Sequence, residues 1–171
     1  METGRDGPSP WVTRFAELVP AGGAVLDIAC GSGRHTRAFL GRGHPVTAID
    51  RDVSALHATP GLTVVEADLE DGRAFPCAPA AFAGVVVTNY LWRPILPAIV
   101  ACVAPGGALL YETFALGNER FGRPRNPDFL LAPGELLDVA RDGGLRVVAY
   151  EDLVVDTPRP AAVQRIAATR R

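Results

Sequence analysis

Residues 25–36 read Val25-Leu26-Asp27-Ile28-Ala29-Cys30-Gly31-Ser32-Gly33-Arg34-His35-Thr36, an apolar run that breaks into a two-glycine turn and then a helical pattern. Gly31 and Gly33 allow a sharp turn and a close backbone approach to a ligand, where a Cβ would collide. The helix that follows, over roughly 34–41, aims its first N–H groups at the same place. An acid stands inside the strand at Asp27, and a second, Asp50, ends the next apolar run, 19 residues beyond Gly31. That is where a carboxylate accepts hydrogen bonds from a ribose diol. A dinucleotide fingerprint needs a third glycine, but Thr36 stands in its place. The pattern therefore favours a nucleoside-type cofactor without a pyrophosphate.

Working outward, strands and helices alternate. Strands are expected at 24–28, 45–49, 62–67, 83–88 and 108–114, with helical segments near 34–41, 53–58 and 94–103. The β-branched run Ala83–Thr88 suits a central strand covered on both faces. Residues 115–132 carry no clean period and hold Gly117, Gly122, Pro124 and Pro127, which marks a long loop of functional interest. A helix from Glu135 to about 142 and two strands, 145–155 and 162–169, complete the chain. Parallel βαβ units with right-handed crossovers, closed by two adjacent strands, predict an α/β Rossmann-like, doubly wound sheet. It would have seven strands, mostly parallel, with an antiparallel C-terminal pair. Ligands of such sheets sit outside the carboxyl ends of the strands, at the switch point after the first.

Composition narrows the chemistry. All 17 basic residues among the 171 are arginine, which removes a Walker-type lysine, a pyridoxal Schiff base and any lysine general base. A net charge of −2 argues against a broad nucleic-acid surface. The three cysteines, Cys30, Cys77 and Cys102, form no CxxC pair and offer no metal framework, as in a reducing cytoplasm. The N-terminal METGRDGPSP is polar, and the apolar stretch near Ile95–Ala104 is too short for a bilayer and interrupted by Pro97. A single cytoplasmic domain over 1–171, with residues 1–10 flexible, is the expectation.

With these motifs in hand, the chain resembles the class I S-adenosylmethionine-dependent methyltransferases. VLDIACGSGRHT resembles their first motif, AIDRD (48–52) the second, EADLEDG (66–72) the third and GVVVTNYLW (84–92) the fourth. APGGALLYETF (104–114) is similar to the turn and fifth strand that follow. The resemblance implies S-adenosylmethionine as cofactor and no metal. Ala29, Gly31 and Gly33 would floor its methionine part, and Asp27 would lie beside the amino end. Asp50 would take the ribose hydroxyls, Arg51 would flank the adenine, and Asp68 and Leu69 would meet the ring. Asn89 and Tyr90 would face the methyl group. The stretch YETFALGNERFGRPRNPDFLLAPGEL (111–136) resembles a small tellurite-resistance-type subgroup.

Methyl transfer is an in-line displacement that alignment can carry, so catalytic residues are harder to read than binding ones. Tyr90 could orient the acceptor, and Glu112 could act as base or hold an arginine of the following loop. Three arginines, Arg120, Arg123 and Arg125, with Asn126, suit an anionic acceptor. A small-molecule acceptor walled by 115–132 is the first expectation and an RNA acceptor the second. A nicotinamide oxidoreductase and a non-catalytic cofactor-binding module complete the readings.

Overall fold

The computed structural model describes residues 7–171. Residues 1–6 of the expected flexible stretch lie outside the described residues, whereas Ser9 is buried and caps the first helix, α1 (Pro10–Phe15). Its Oγ accepts from the N–H groups of Trp11 and Val12, and Pro10 at the first position costs no helical hydrogen bond.

Seven strands follow: β1 (Val25–Ile28), β2 (Val46–Asp50), β3 (Leu62–Glu66), β4 (Phe82–Thr88), β5 (Val103–Phe114), β6 (Arg146–Val155) and β7 (Ala161–Thr169). They form one sheet in the order β3-β2-β1-β4-β5-β7-β6. The pairs β1–β2, β1–β4, β2–β3 and β4–β5 are parallel, and β7 runs antiparallel to both β5 and β6. The expected antiparallel pair is thus present, with β7 inserted beside β5 and β6 at the edge. Chain order reverses between β1 and β4, which opens a crevice at their carboxyl ends.

The two faces are covered by helices α1, α2 (Arg34–Gly41), α3 (Leu96–Ala101) and α4 (Glu135–Asp142). The pleat sorts side chains by parity. Val25, Val46, Val86 and Leu110 pack with Trp11, Val12 and Phe39 of α1 and α2. Leu26, Ile28, Val85, Val87, Leu109 and Tyr111 pack with Ile99, Leu136 and Ala140 of α3 and α4. All four β1 residues are buried, as a doubly covered strand requires.

Two expectations are corrected. Residues 53–58 form one turn rather than a helical segment, because Asp52 accepts the Ser54 N–H and diverts the backbone. The helix expected over 94–103 is shorter: a 3₁₀ turn at Arg93–Ile95 leads into α3, and β5 already starts at Val103. Loop 115–132 is ordered by its own contacts. Ala115 bridges Leu131, 3₁₀ turns lie at Asn118–Arg120 and Pro127–Phe129, and buried Asn118 donates to the Pro124 carbonyl while accepting from Ala162 N–H.

Candidate functional site

The turn after β1 is built around glycine backbones that other residues adopt at a cost. Gly33 has φ +79°, and a Cβ there would stand 2.5 Å from the Leu56 side chain. Gly31 has φ +53°, and a Cβ on it would meet nothing within 4 Å, so its backbone borders open space. Asp50, at the end of β2, holds this turn: its Oδ2 accepts from Gly31 N–H at 2.8 Å and its Oδ1 from Asp52 N–H at 3.1 Å. Parity places Asp27 on the α2 side of β1, buried, where it accepts the Thr36 hydroxyl proton at 2.6 Å. Burial raises its pKa to about 6 against that bond, with Arg34 partly opposing. Thr36, in the position of a third glycine, is therefore a partner of the acid. Cys30 is buried beside the turn, and burial plus the Asp27 and Asp50 charges push its thiol up to about 12, which keeps it protonated.

A cleft of about 570 Å³ opens at the carboxyl ends of β1, β2, β3, β4 and β5. One half is lined by Ala29, Asp50, Arg51, Asp68 and Leu69, the residues the sequence nominated there, together with Glu70. Asp68 accepts the Glu70 N–H at 2.9 Å, so its turn is preformed. The other half is lined by Asn89, Tyr90 and Leu91 after β4, by Thr113 and Phe114 of β5, and by Pro124 and Phe129 of the loop. Ala29 and Asn89, which face each other across the switch point, have φ of +51° and +54°. Of the three non-glycine residues in the left-handed region among the described residues, these two stand at the cleft and the third, Ala80, lies away from it; backbone strain of this kind is often found at ligand sites. Asn89 is held by its N–H to the Glu112 carbonyl at 2.9 Å, and buried Tyr111 donates to the Tyr90 carbonyl at 2.8 Å. The Tyr90 hydroxyl is itself buried and lies beside the Glu70 and Asp68 carboxylates, with Glu70 its nearest acceptor, although no contact meets full hydrogen-bonding geometry. Burial, then the Glu70 and Asp68 carboxylates, raise its pKa, so it remains a donor.

The loop reaches the cleft differently from expectation. Its contribution to the lining is Pro124 and Phe129; Arg120, Arg123, Arg125 and Asn126 are exposed and not on it. Arg120 donates to the Gly117 carbonyl, and Asn126 caps the second 3₁₀ turn through Asp128 N–H. Arg93, which the sequence reading missed, secures the loop's return. It forks onto Glu135 at 2.7 and 2.9 Å and donates to the Asp128 and Leu130 carbonyls.

Glu112 is corrected as well. The pleat puts it on the side of Leu110, under α1, and not on the cleft lining. Its Oε1 accepts the Ser9 hydroxyl proton at 2.6 Å and its Oε2 an Arg165 N–H at 3.1 Å, so its arginine comes from β7 and not from the loop. Arg165 also binds Glu151 and lies over the Trp11 ring, whose Nε1 donates to the Ile166 carbonyl. His35 completes this cluster: its Nε2 accepts Ser9 N–H, and its Nδ1 lies 3.4 Å from the Thr88 hydroxyl. Burial, then the Arg34 charge, lower its pKa to about 4, consistent with a neutral ring that accepts at Nε2. These contacts strap α1 across the sheet. Arg165→Ala strands Glu112 and Glu151 together and is expected to cost about 2 kcal/mol in urea unfolding. An unchanged midpoint would show that the strap contributes nothing. Among the described residues, no group of three His, Cys, Asp or Glu side chains could hold a metal ion, and no helix is long and apolar enough to cross a membrane.

Comparison with known proteins bears on the domain and the fold. Residues 25–107 match a family described as a methyltransferase domain. The chain is 30% identical over 156 residues to the 18S rRNA (guanine-N(7))-methyltransferase bud23 of Schizosaccharomyces pombe, covering 85% of this chain and 56% of that one. It thus spans little more than half the length of the curated relative it matches. Among solved structures, TehB of Haemophilus influenzae superposes with a TM-score of 0.72 at 17% identity, over 94% of this chain and 61% of that chain. The 1,6-didemethyltoxoflavin-N1-methyltransferase of Burkholderia thailandensis, solved with its substrate and S-adenosylhomocysteine, superposes with a TM-score of 0.69 at 19% identity. That match covers 94% of this chain and 76% of the other. At these identities the structural likeness is one of fold.

Proposed function

We propose that this chain is a class I S-adenosylmethionine-dependent methyltransferase, a reading supported by the methyltransferase-domain match and the shared fold, and that it transfers a methyl group from that cofactor to a small acceptor in the cleft of β4, β5 and the 115–132 loop. The observation that carries the reading is the cleft at the switch point, flanked by the strained Ala29 and Asn89. Its two halves suit two reactants in one enclosure.

The residues present fit the cofactor. Open space borders the Gly31 backbone, two carboxylates line the β2 and β3 side, and both are fixed by backbone N–H groups. Asp50 would accept from the ribose hydroxyls, Asp68 from the adenine amino group, and Leu69 would offer its N–H to the ring beside Arg51. Ala29, Gly31 and Gly33 would floor the methionine part near Asp27. When bound, the cofactor supplies a methyl group already activated on a sulfonium. The chain's own residues then need to align the acceptor and exclude water, which is the larger part of the barrier in such a displacement. Asn89 and Tyr90, at the end of β4 and on the cleft lining, would serve that alignment. The burial of Thr36 against Asp27 supports this reading over a dinucleotide oxidoreductase, which would place a third glycine there.

RNA as acceptor is the second reading, favoured by the S. pombe relative and by the exposed Arg123 and Arg125 on the loop that also lines the cleft. The discriminating experiment incubates the protein and labelled cofactor with cell extract, then separates RNA, protein and metabolites. Label in metabolites is expected. Label in RNA supports the second reading, and no label with cofactor bound would reduce the protein to a cofactor-binding module.

A further inference from the structure

Resting on the methyltransferase reading, we propose that Arg93 is the positioning residue that sets the spacing of the acceptor half of the cleft, and with it the fit of the acceptor. That half has two walls from separate parts of the chain: Asn89, Tyr90 and Leu91 after β4, and Pro124 with Phe129 on the loop. Arg93 stands three residues after Tyr90 and bonds the second wall directly. Its Nη1 donates to the Asp128 carbonyl and its Nη2 to the Leu130 carbonyl, each at 2.8 Å. These are the carbonyls on either side of Phe129. One planar guanidinium thus grips the backbone before and after the residue that lines the cleft. The chain between Tyr90 and Arg93 spans at most about 11 Å, which limits how far the walls can part while both bonds hold.

The guanidinium has little left for a ligand. Its Nε and Nη2 also fork onto Glu135 at 2.7 and 2.9 Å, so four of its five N–H donors are engaged. Arg93 is not on the cleft lining and therefore acts through the walls. Each end of this brace is fixed in turn. Glu135 accepts the Ala132 N–H at 2.8 Å, and buried Gln164 of β7 donates to the Ala132 carbonyl at 2.6 Å. On the β4 side, buried Tyr111 donates to the Tyr90 carbonyl at 2.8 Å. A spacing held at both ends is a preorganised one, and the acceptor then meets walls that need no ordering on its arrival. Lysine cannot replace this arginine. Its ammonium is a point charge that keeps Glu135 but has no planar fork to hold two carbonyls beside a carboxylate.

The test uses the cell-extract fraction that takes label as its acceptor probe. Methyl transfer from labelled S-adenosylmethionine is followed over a dilution series of that fraction and, separately, over a series in cofactor. Each variant then gives a plateau rate and two half-saturating levels. In Arg93→Lys and Arg93→Gln the half-saturating extract level is expected to rise roughly ten- to a hundredfold, with that of the cofactor unchanged. A role confined to holding the fold would lower the plateau through loss of active protein and move neither level. Phe129→Ala, at an exposed position that the fold tolerates, should raise the extract level as well. Adding Arg93→Lys to it should raise that level little further, as for residues that act as one unit. Glu135→Gln leaves both carbonyl bonds available, so it should lower the melting temperature with the extract level nearly unchanged. Label in no fraction would fall on the parent reading and take the proposal with it. Where label is transferred, an unmoved extract level in the Arg93 variants or in Phe129→Ala, additive effects of the two, or an equal rise in Glu135→Gln would each overturn the proposal alone.

Discussion

Asp27→Asn makes the ligand-free protein's stability less dependent on pH, and the gap between variant and parent opens between about pH 4 and pH 6. The sign follows from linkage. The folded pKa of about 6 lies above the ordinary 3.8, so the folded state binds the proton more tightly than the unfolded chain does. The favourable contribution is complete below the unfolded value and is lost as pH rises through the folded one. A shift of that size corresponds to roughly 3 kcal/mol. Urea denaturation of both proteins from pH 4 to pH 8 reads it directly. Parallel curves would show that Asp27 does not titrate in this window. A buried acid that costs stability calls for a reason to be kept. On the proposed reading, that reason is the amino end of the cofactor, whose positive charge would favour the ionised carboxylate. The same variant should then bind S-adenosylmethionine more weakly at pH 8.

Asp50→Ala is expected to reduce cofactor affinity by about a hundredfold or more. Two hydrogen bonds from a ribose to a carboxylate are each of the charge-assisted, stronger class. The substitution also frees the N–H groups of Gly31 and Asp52, which now share that carboxylate, so the turn over which the cofactor would lie loses its brace. Those N–H groups are on exposed residues and can turn to water, so the loss in global stability should be small. Calorimetric titration with S-adenosylhomocysteine, alongside a thermal melt, separates the two effects. Undiminished binding would remove Asp50 from the ribose.

The contrast between Asp50 and Glu112 shows what a sequence can carry. The turn around Gly31, the acid ending β2 and the pair after β4 each stand at a strand end, where the strand–helix alternation predicts a site, although the partners that hold them are 19 to 23 residues away. The partners of Glu112 carry no such cue. Ser9 and Arg165 are 103 and 53 residues away, and only the side of the pleat on which Glu112 falls decides between cleft and strap. The loop arginines mislead for a related reason. Their number is visible in sequence, but the loop is held by Asn118, which bonds the Pro124 carbonyl and the distant Ala162 N–H, and by Arg93, which bonds the distant Leu130 carbonyl; Pro124 and Phe129 then line the cleft while Arg123 and Arg125 stay in water. A lone arginine after Trp92 and a lone asparagine after Gly117 have no pattern by which to announce that task. His35 likewise opens a helix like a surface residue, yet is buried against Ser9.

The central claim is that the switch-point cleft takes a sulfonium nucleoside. Its most direct test is calorimetric titration of the unmodified protein with S-adenosylhomocysteine, S-adenosylmethionine and NADH in turn. The account predicts one saturable site for each sulfur nucleoside and none for NADH; binding of NADH with no binding of either sulfur nucleoside would contradict it.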